Sequence, residues 1–271
     1  MANKQVSDAD IKAQIIARTQ EEKATVESQF PTEIVPLPSK GLVYPKEHPL
    51  SSGKLELKYM TAREEDILTS PNLIDKGLVF EMLLNSLIVD DKISQDDLIV
   101  GDRNAVLVSA RILGYGKDYG IMIDEQEVNV DLTTLNEIWI DEKNLVEKNK
   151  NEFQFVAPVT KTKINFSLPN GHMEKQIEDL NEAYKKAGQD RGLTNKYKVI
   201  IKSINGDTTR GVLDDFIDNQ FIARDSMAFR DYLADISPDI SFDTKVKLPD
   251  GTEQEVTVPM TVRFFWPNAE V

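Results

Sequence analysis

From Leu98 to Gly120 the chain reads LIVGDRNAVLVSARILGYGKDYG, and its apolar positions run almost all the way round a helix. A surface helix carries one apolar stripe. Here Ala105, Val106, Leu107, Val108, Ala110, Ile112 and Leu113 are separated only by Asn104, Ser109 and Arg111. The pattern predicts a helix buried in the middle of a domain, capped by Asp102 and stopped by Gly114-Tyr115-Gly116.

The other rhythms are weaker. Residues 6–29 start with a capping-box-like Ser7 and carry a short stripe of Ile11, Ile15 and Ile16, which fades into RTQEEKATVESQ. That predicts a helical arm, apolar at one end. Residues 31–50 contain five prolines, which disfavour helix and central strand, yet also Leu37, Leu42 and Tyr44. The segment reads as an extended strap lying in a groove of its own chain or of a neighbour. GKLELKYM (53–60) alternates as a strand, Thr61 to Glu64 is a capping box opening a helix, and residues 76–89 form a second helix. Residues 119–131 read as a hairpin, and 132–151 as a short helix or loop around Trp139.

From residue 152 the texture changes. Two strands (152–158 and 161–168) lead through Pro169-Asn170-Gly171 into a helix over 174–187. A polar loop holding Gly188, Gly192 and Asn195 follows, and 196–204 fits strand or helix equally well. Two amphipathic helices with Asp caps cover 207–221 and 225–236, before a closing hairpin and the aromatic run Phe264-Phe265-Trp266. The expected class is α+β, a buried central helix with short helices and inserted antiparallel hairpins. The expected divisions are an arm (1–30), a strap (31–50), an N-terminal α+β core (51–150) and a C-terminal α+β part ending in a hairpin (151–271).

Charge narrows the choice of partners. Against 32 basic side chains stand 46 acidic ones, a net charge of −14, and no Lys/Arg run exceeds two residues. Such a surface repels phosphate backbones and acidic membranes, so neither nucleic acid nor membrane is an expected partner. No apolar run approaches the roughly 18–20 residues of a membrane span, and the polar start MANKQVSDAD lacks a signal-peptide core.

Candidate chemistry is sparse. The chain has no cysteine, which excludes disulfides, thiolate catalysis and Cys-ligated zinc. Its two histidines, His48 and His172, lie in loops without a second ligand at metal spacing, and no GxSxG elbow accompanies them. Gly114, Gly116 and Gly120 follow a helix rather than a strand, so they read as a helix stop and a turn, not a phosphate loop. Aspartate pairs such as Asp90-Asp91, Asp96-Asp97 and Asp214-Asp215 read as caps and solvated faces. Arg103 and Arg111 are expected to pair with nearby carboxylates. No cofactor, metal or catalytic residue is expected, and a carboxylate-based hydrolase is the remote alternative; it requires an Asp or Glu in a deep pocket with a raised pKa.

Five segments carry a resemblance. PLPSKGLVYP (36–45), GKLELKYMTAREEDIL (53–68), DLIVGDRNAVLVSARILGYGKDY (97–119), RDSMAFRDYL (224–233) and VPMTVRFFWP (258–267) together resemble, in this order, the T-even-type bacteriophage baseplate hub assembly protein family. The likeness runs from about Val35 to Pro267. It implies a non-enzymatic late protein of phage tail assembly, a chaperone of the baseplate hub in the host cytoplasm or a hub subunit kept in the virion, with other hub and tail proteins as partners. Some relatives carry Cys-x-x-Cys knuckles in two hairpins. Here those places read YGIMIDEQEV (119–128) and KLPDGTEQEV (247–256), which removes any zinc role. The residues expected to meet partners are Ile11 and Ile15 on the arm, Leu37, Leu42 and Tyr44 on the strap, and Phe265 and Trp266 at the end.

Overall fold

The computed structural model describes residues 31–123, 126–248 and 251–265. The arm with Ile11 and Ile15, and the terminal Trp266, lie outside the described residues.

The fold is α+β. The strap opens with strand β1 (Thr32–Pro36), which pairs antiparallel with β2 (Lys54–Lys58) and places Val35 opposite Leu55 in the core. Pro36 sits at the last position of β1, where a missing N–H costs least. Helices α1 (Ala62–Leu68), α2 (Pro71–Asp75) and α3 (Val79–Leu87) follow. The apolar segment becomes α4 (Val100–Tyr115) and stops where Gly116 adopts a positive φ of 83° and donates its N–H to Ile112. Next come β3 (Asp118–Ile123), β4 (Gln126–Asp131) and the two-residue β5 (Glu137–Ile138). Gly120 is a strand residue paired with Asn129, inside the hairpin expected over 119–131.

The second half begins with β6 (Phe153–Val156) and β7 (Lys163–Phe166). Asn170 then caps α5 (Gly171–Lys186) through Met173 N–H. The expected polar loop at Gly192 and Asn195 is instead helix α6 (Gly192–Ile200), which runs straight into β8 (Ile201–Ile204) as the third strand beside β7. Asn195 is fully buried and donates to the Asn181 side chain, so its polarity belongs to an interior contact. Helix α7 (Arg210–Asp215) widens into a π-turn at 216–220, and α8 (Ala223–Ile236) follows. Strand β9 (Asp239–Ile240) pairs back with β5, and a hairpin of β10 (Asp243–Lys247) and β11 (Glu253–Thr257) leads to the single turn α9 (Val262–Phe265).

One buried apolar cluster runs from Val35 to Phe265 across residue 150, where the sequence texture changes. Its C-terminal part is aromatic: Phe166 meets Phe229 edge-on at 4.9 Å, and Phe155 and Tyr197 close around the same ring. Stacked and edge-on aromatics add to area burial. Within α4, Ala105 to Val108, Ala110 and Arg111 are buried, while Ile112 and Leu113 are only partly covered.

Candidate functional site

Several polar and charged side chains lie in the interior, Asp102 among them. Asp102 has no exposed surface, and it is not the cap of α4; Ile99 occupies that position and Asp102 is the third helical residue. Its carboxylate reaches out of the helix to the strap. Ser39 donates its N–H at 2.8 Å and its hydroxyl at 2.6 Å, and the Tyr44 hydroxyl donates at 2.6 Å. The Tyr44 oxygen in turn accepts Ile99 N–H at 3.1 Å. The strap fits because Pro36 and Pro38 deny it a helix and because Lys40 and Gly41 take positive φ, so Leu42 N–H bonds back to Ser39. Burial pushes the Asp102 carboxyl up, against the bonds from Ser39 and Tyr44, to about 6. Burial and Asp102 together hold the Tyr44 phenol far above its ordinary range.

The same device recurs. Glu64, third residue of α1, closes the expected capping box on Thr61 N–H (2.8 Å) and hydroxyl (2.6 Å), and also binds Lys58 (3.0 Å) and the Ser86 hydroxyl. Burial raises its carboxyl, but the hydroxyls of Ser86 and Thr61, the Thr61 N–H and Lys58 outweigh it, leaving about 2. Asp225, third residue of α8, takes Val159 N–H (2.8 Å), Thr160 N–H (3.0 Å) and the Thr160 hydroxyl (2.8 Å). Burial acts against ionisation there too, yet these donors hold it below the ordinary value. Asp102 and Asp225 were expected as caps. An aspartate in the first turn reads the same in sequence whether it bonds its own helix or a distant loop.

Arg111 corrects another expectation. Among the described residues it is buried without a carboxylate partner: Nε donates to Phe264 O at 2.7 Å, and the two terminal nitrogens to Gly116 O at 2.7 Å and Asp118 O at 3.1 Å. The rings of Tyr115 and Tyr119 flank the guanidinium at 5.4 and 5.8 Å. Arg103 does pair with a carboxylate, Glu174.

The two histidines converge on one acid. His48 Nε2 stands 3.7 Å and His172 Nε2 3.1 Å from the Asp97 carboxylate, which also takes Ser94 N–H at 2.8 Å. Sequence spacing gave no hint of this meeting of loops. Among the described residues, no group of three or more His, Asp or Glu side chains is arranged to hold a metal ion.

Open space lies elsewhere. A groove of about 610 Å³ runs between the start of α4, the Leu168-Pro169 turn, α5 and α8, walled by Ile177, Leu233 and Pro238. A second cavity, about 550 Å³, lies between α5, α6, β8 and α7, and a third of about 480 Å³ lies at the start of α6. Asp102 lines none of the three. Its raised carboxyl is the signature that the hydrolase alternative required, but its oxygens are filled by protein donors and no cavity among these three brings a substrate to it.

Among the described residues, the expected partner-binding side chains do not form one exposed surface. Leu37 and Phe265 have no exposed area, Tyr44 has 5%, and Leu42 is partly buried against the core. The strap and the last helical turn bury these side chains in their own chain, so Leu37, Tyr44 and Phe265 are corrected from contact residues to core. The exposed apolar side chains are others: Met122 (68%), Ile34 (58%) and Met227 (53%), with Ile138 and Trp139 beside the strap. Alternation along β1, with Val35 inward, was the readable signal for Ile34 outward. Among the described residues no helix is long and apolar enough to cross a membrane. No family model, curated protein or solved structure matches the chain.

Proposed function

We propose that this chain is a non-enzymatic protein of bacteriophage tail assembly that helps the baseplate hub form by binding hub and tail components. One observation carries the reading: four of the five segments behind the family resemblance hold one another in place. Ser39 and Tyr44 of the first segment bind Asp102 of the third. Leu37 of the first bonds to Gly53 of the second, and Tyr115 of the third to Glu65 of the second. Arg111 of the third binds the Phe264 carbonyl of the fifth. These bonds join four of the segments in one framework, which supports the reading.

A framework of saturated buried carboxylates is suited to presenting a surface. The net charge of −14 favours encounter with basic partners and repels acidic ones. Contact then falls to side chains such as Ile34, Met122 and Trp139, outside the locked framework. Co-expression of the full chain with each hub and tail protein, followed by affinity capture, tests the reading. A stable complex with a hub component is expected, and Ile34→Asp or Met122→Asp weakens it. A monodisperse chain that captures no tail protein overturns it. Mass spectrometry of purified particles then separates an assembly factor that leaves from a hub subunit that stays.

A further inference from the structure

Helix α5 differs from α4 in how it is attached. Both have 16 residues, but eight of α4 are buried and of α5 only Gly171 is. Met173, Ile177, Leu180 and Tyr184 recur at helical spacing along α5. None of them belongs to the buried apolar cluster or to the partly covered side chains packed against it. A helix takes most of its stability in a protein from packing an apolar face, and an isolated helix of about this length is marginal in water.

Polar side chains hold α5 instead. His172 meets Asp97 at 3.1 Å, Glu174 pairs with Arg103, and Lys175 reaches Asp96 at 2.6 Å and Glu81 at 3.2 Å. Further along, Asn181 accepts the Asn195 side chain at 2.9 Å, and the Tyr184 ring lies 5.0 Å from the Arg191 guanidinium. His172, Glu174 and Lys175 are each more than a third exposed, where an ion pair holds weakly and salt screens it. The two ends of the helix also differ. Before its start, Val100 N–H bonds to the Pro169 carbonyl and Asn170 bridges to Ile99. Gly171 lies so close to the 95–97 turn that a Cβ would stand 2.6 Å from the Asp96 Cα. After its end, Gly188 takes a φ of 76° and residues 187–190 are all exposed. The start is a fixed corner, and the end leads into a solvated loop.

Open space lies along both flanks. Ile177 lines the groove of about 610 Å³ together with Leu168 and Leu233. Leu180 lines the cavity of about 550 Å³ together with Ile201 and Leu213. Leu168, Ile201, Leu213 and Leu233 are at most 7% exposed. We propose that α5 is a hinged lid. It pivots on the Asn170-Gly171 corner when its ion pairs let go, and its lifting joins the two flanking cavities into one groove floored by those four side chains. Salt governs the opening, because the ties are charged and half exposed. The inference does not depend on the tail-assembly reading, and failure of either leaves the other standing.

Hydrogen exchange of the full chain, read by mass spectrometry in low and in high sodium chloride, tests the lid. Once detached, α5 frays and its amides exchange. Peptides from 171–186 are expected to exchange together, ahead of α4 and α8, and about tenfold faster in high salt, the scale of a few screened ion pairs. Lys175→Met, which removes two of the ties, is expected to speed exchange in α5 and not in α4. A thiol on the floor separates lifting from fraying. The chain has no cysteine, so Ile201→Cys takes up a thiol reagent as the lid lifts, at a rate that climbs with salt, whereas Val106→Cys within α4 stays unlabelled. Exchange of 171–186 at the pace of α8, an equal salt effect in every helix, or an Ile201→Cys thiol that stays closed while α5 exchanges overturns the proposal. The exchange pattern is read on the unmodified chain and decides the matter even where a variant does not fold.

Discussion

Asp102 and Asp225 stand at the same helical position in opposite halves of the molecule, and each fastens a loop across more than 60 residues of sequence, 63 to Ser39 and 65 to Thr160. Both take a backbone N–H and a hydroxyl, and both have no exposed surface. Yet one carboxyl is raised to about 6 and the other is lowered. Asp225 receives two backbone N–H groups, lies just beneath the 157–162 turn and has Arg224 beside it. Asp102 receives one N–H and two hydroxyls, sits deep under the strap and faces the charge of Asp239. Burial alone does not decide the charge of a carboxylate. Depth of desolvation, the largest influence on Asp102, decides it as weighed against the donors and the sign of the nearest charge.

The largest effect follows from removing the deep acceptor. Asp102→Ala leaves Ser39 N–H, Ser39 hydroxyl and Tyr44 hydroxyl without a buried partner, and is expected to destabilise the fold by about 4 kcal/mol. Urea unfolding measures it. Asp225→Ala is expected to cost less, because water reaches its shallow donors once the side chain is gone. Equal losses at the two sites would erase the distinction between deep and shallow locks.

The pH dependence separates them further. The folded value of Asp102, about 6, lies above the ordinary aspartate value of 3.8. Its contribution to stability is therefore fully present below pH 3.8 and is lost as pH rises through 6, at most about 3 kcal/mol. Asp225 and Glu64 run the other way: their folded values lie below the ordinary ones, so their contributions hold at neutral pH and are lost in acid. Asp102→Asn removes the first component. The stability of the unmodified chain relative to Asp102→Asn is expected to fall between pH 4 and pH 7 in chemical denaturation, whereas relative to Asp225→Asn it rises. A flat difference for Asp102→Asn would mean that its carboxyl is not raised.

Within α4, two glycines repeat the contrast between a rigid and a yielding neighbour. A Cβ on Gly101 would stand 1.8 Å from the Pro238 carbonyl oxygen, a backbone atom. On Gly114 it would meet only the flexible end of Met60. Gly101→Ala is expected to cost about 2 kcal/mol through the forced backbone shift, and Gly114→Ala to be neutral or to gain a few tenths from helix propensity. Thermal unfolding of the pair checks it.

Sequence showed which segments are elements more readily than where their polar side chains go. The helix at 100–115 was legible because apolar residues on every face leave no solvent side, and the capping box at Thr61–Glu64 because its partners are three residues apart. The strap was legible as extended, through its prolines. What it packs on was not, because Tyr44 finds Asp102 across 58 residues. Arg111 was misread because three backbone carbonyls, which no side-chain pattern marks, took the place of a carboxylate. The start of helix α6 was read as loop because Gly192 and Asn195 look like loop residues until the interior contact of Asn195 is visible. Of the expected contact residues, those in the strap and the last turn carry apolar character that serves the core.

The finest discrimination between the two locks comes from their hydroxyl donors. Ser39→Ala removes the 2.6 Å bond to Asp102 and the 3.1 Å bond that the Ser39 oxygen accepts from Gly41 N–H. It leaves Asp102 with one N–H and the Tyr44 phenol, so it is expected to cost about 1–2 kcal/mol and to push the Asp102 carboxyl further up. The pH at which stability declines then moves upward. Thr160→Ala leaves Asp225 with two N–H donors in a shallow site, and a smaller loss of stability with little movement of its acid titration is expected. Urea midpoints at pH 5 and pH 7 read both quantities together. If Thr160→Ala proved the more damaging, the hydroxyl and not the amide count would be what keeps Asp225 ionised, and the contrast between the two locks would have to be redrawn around Thr160.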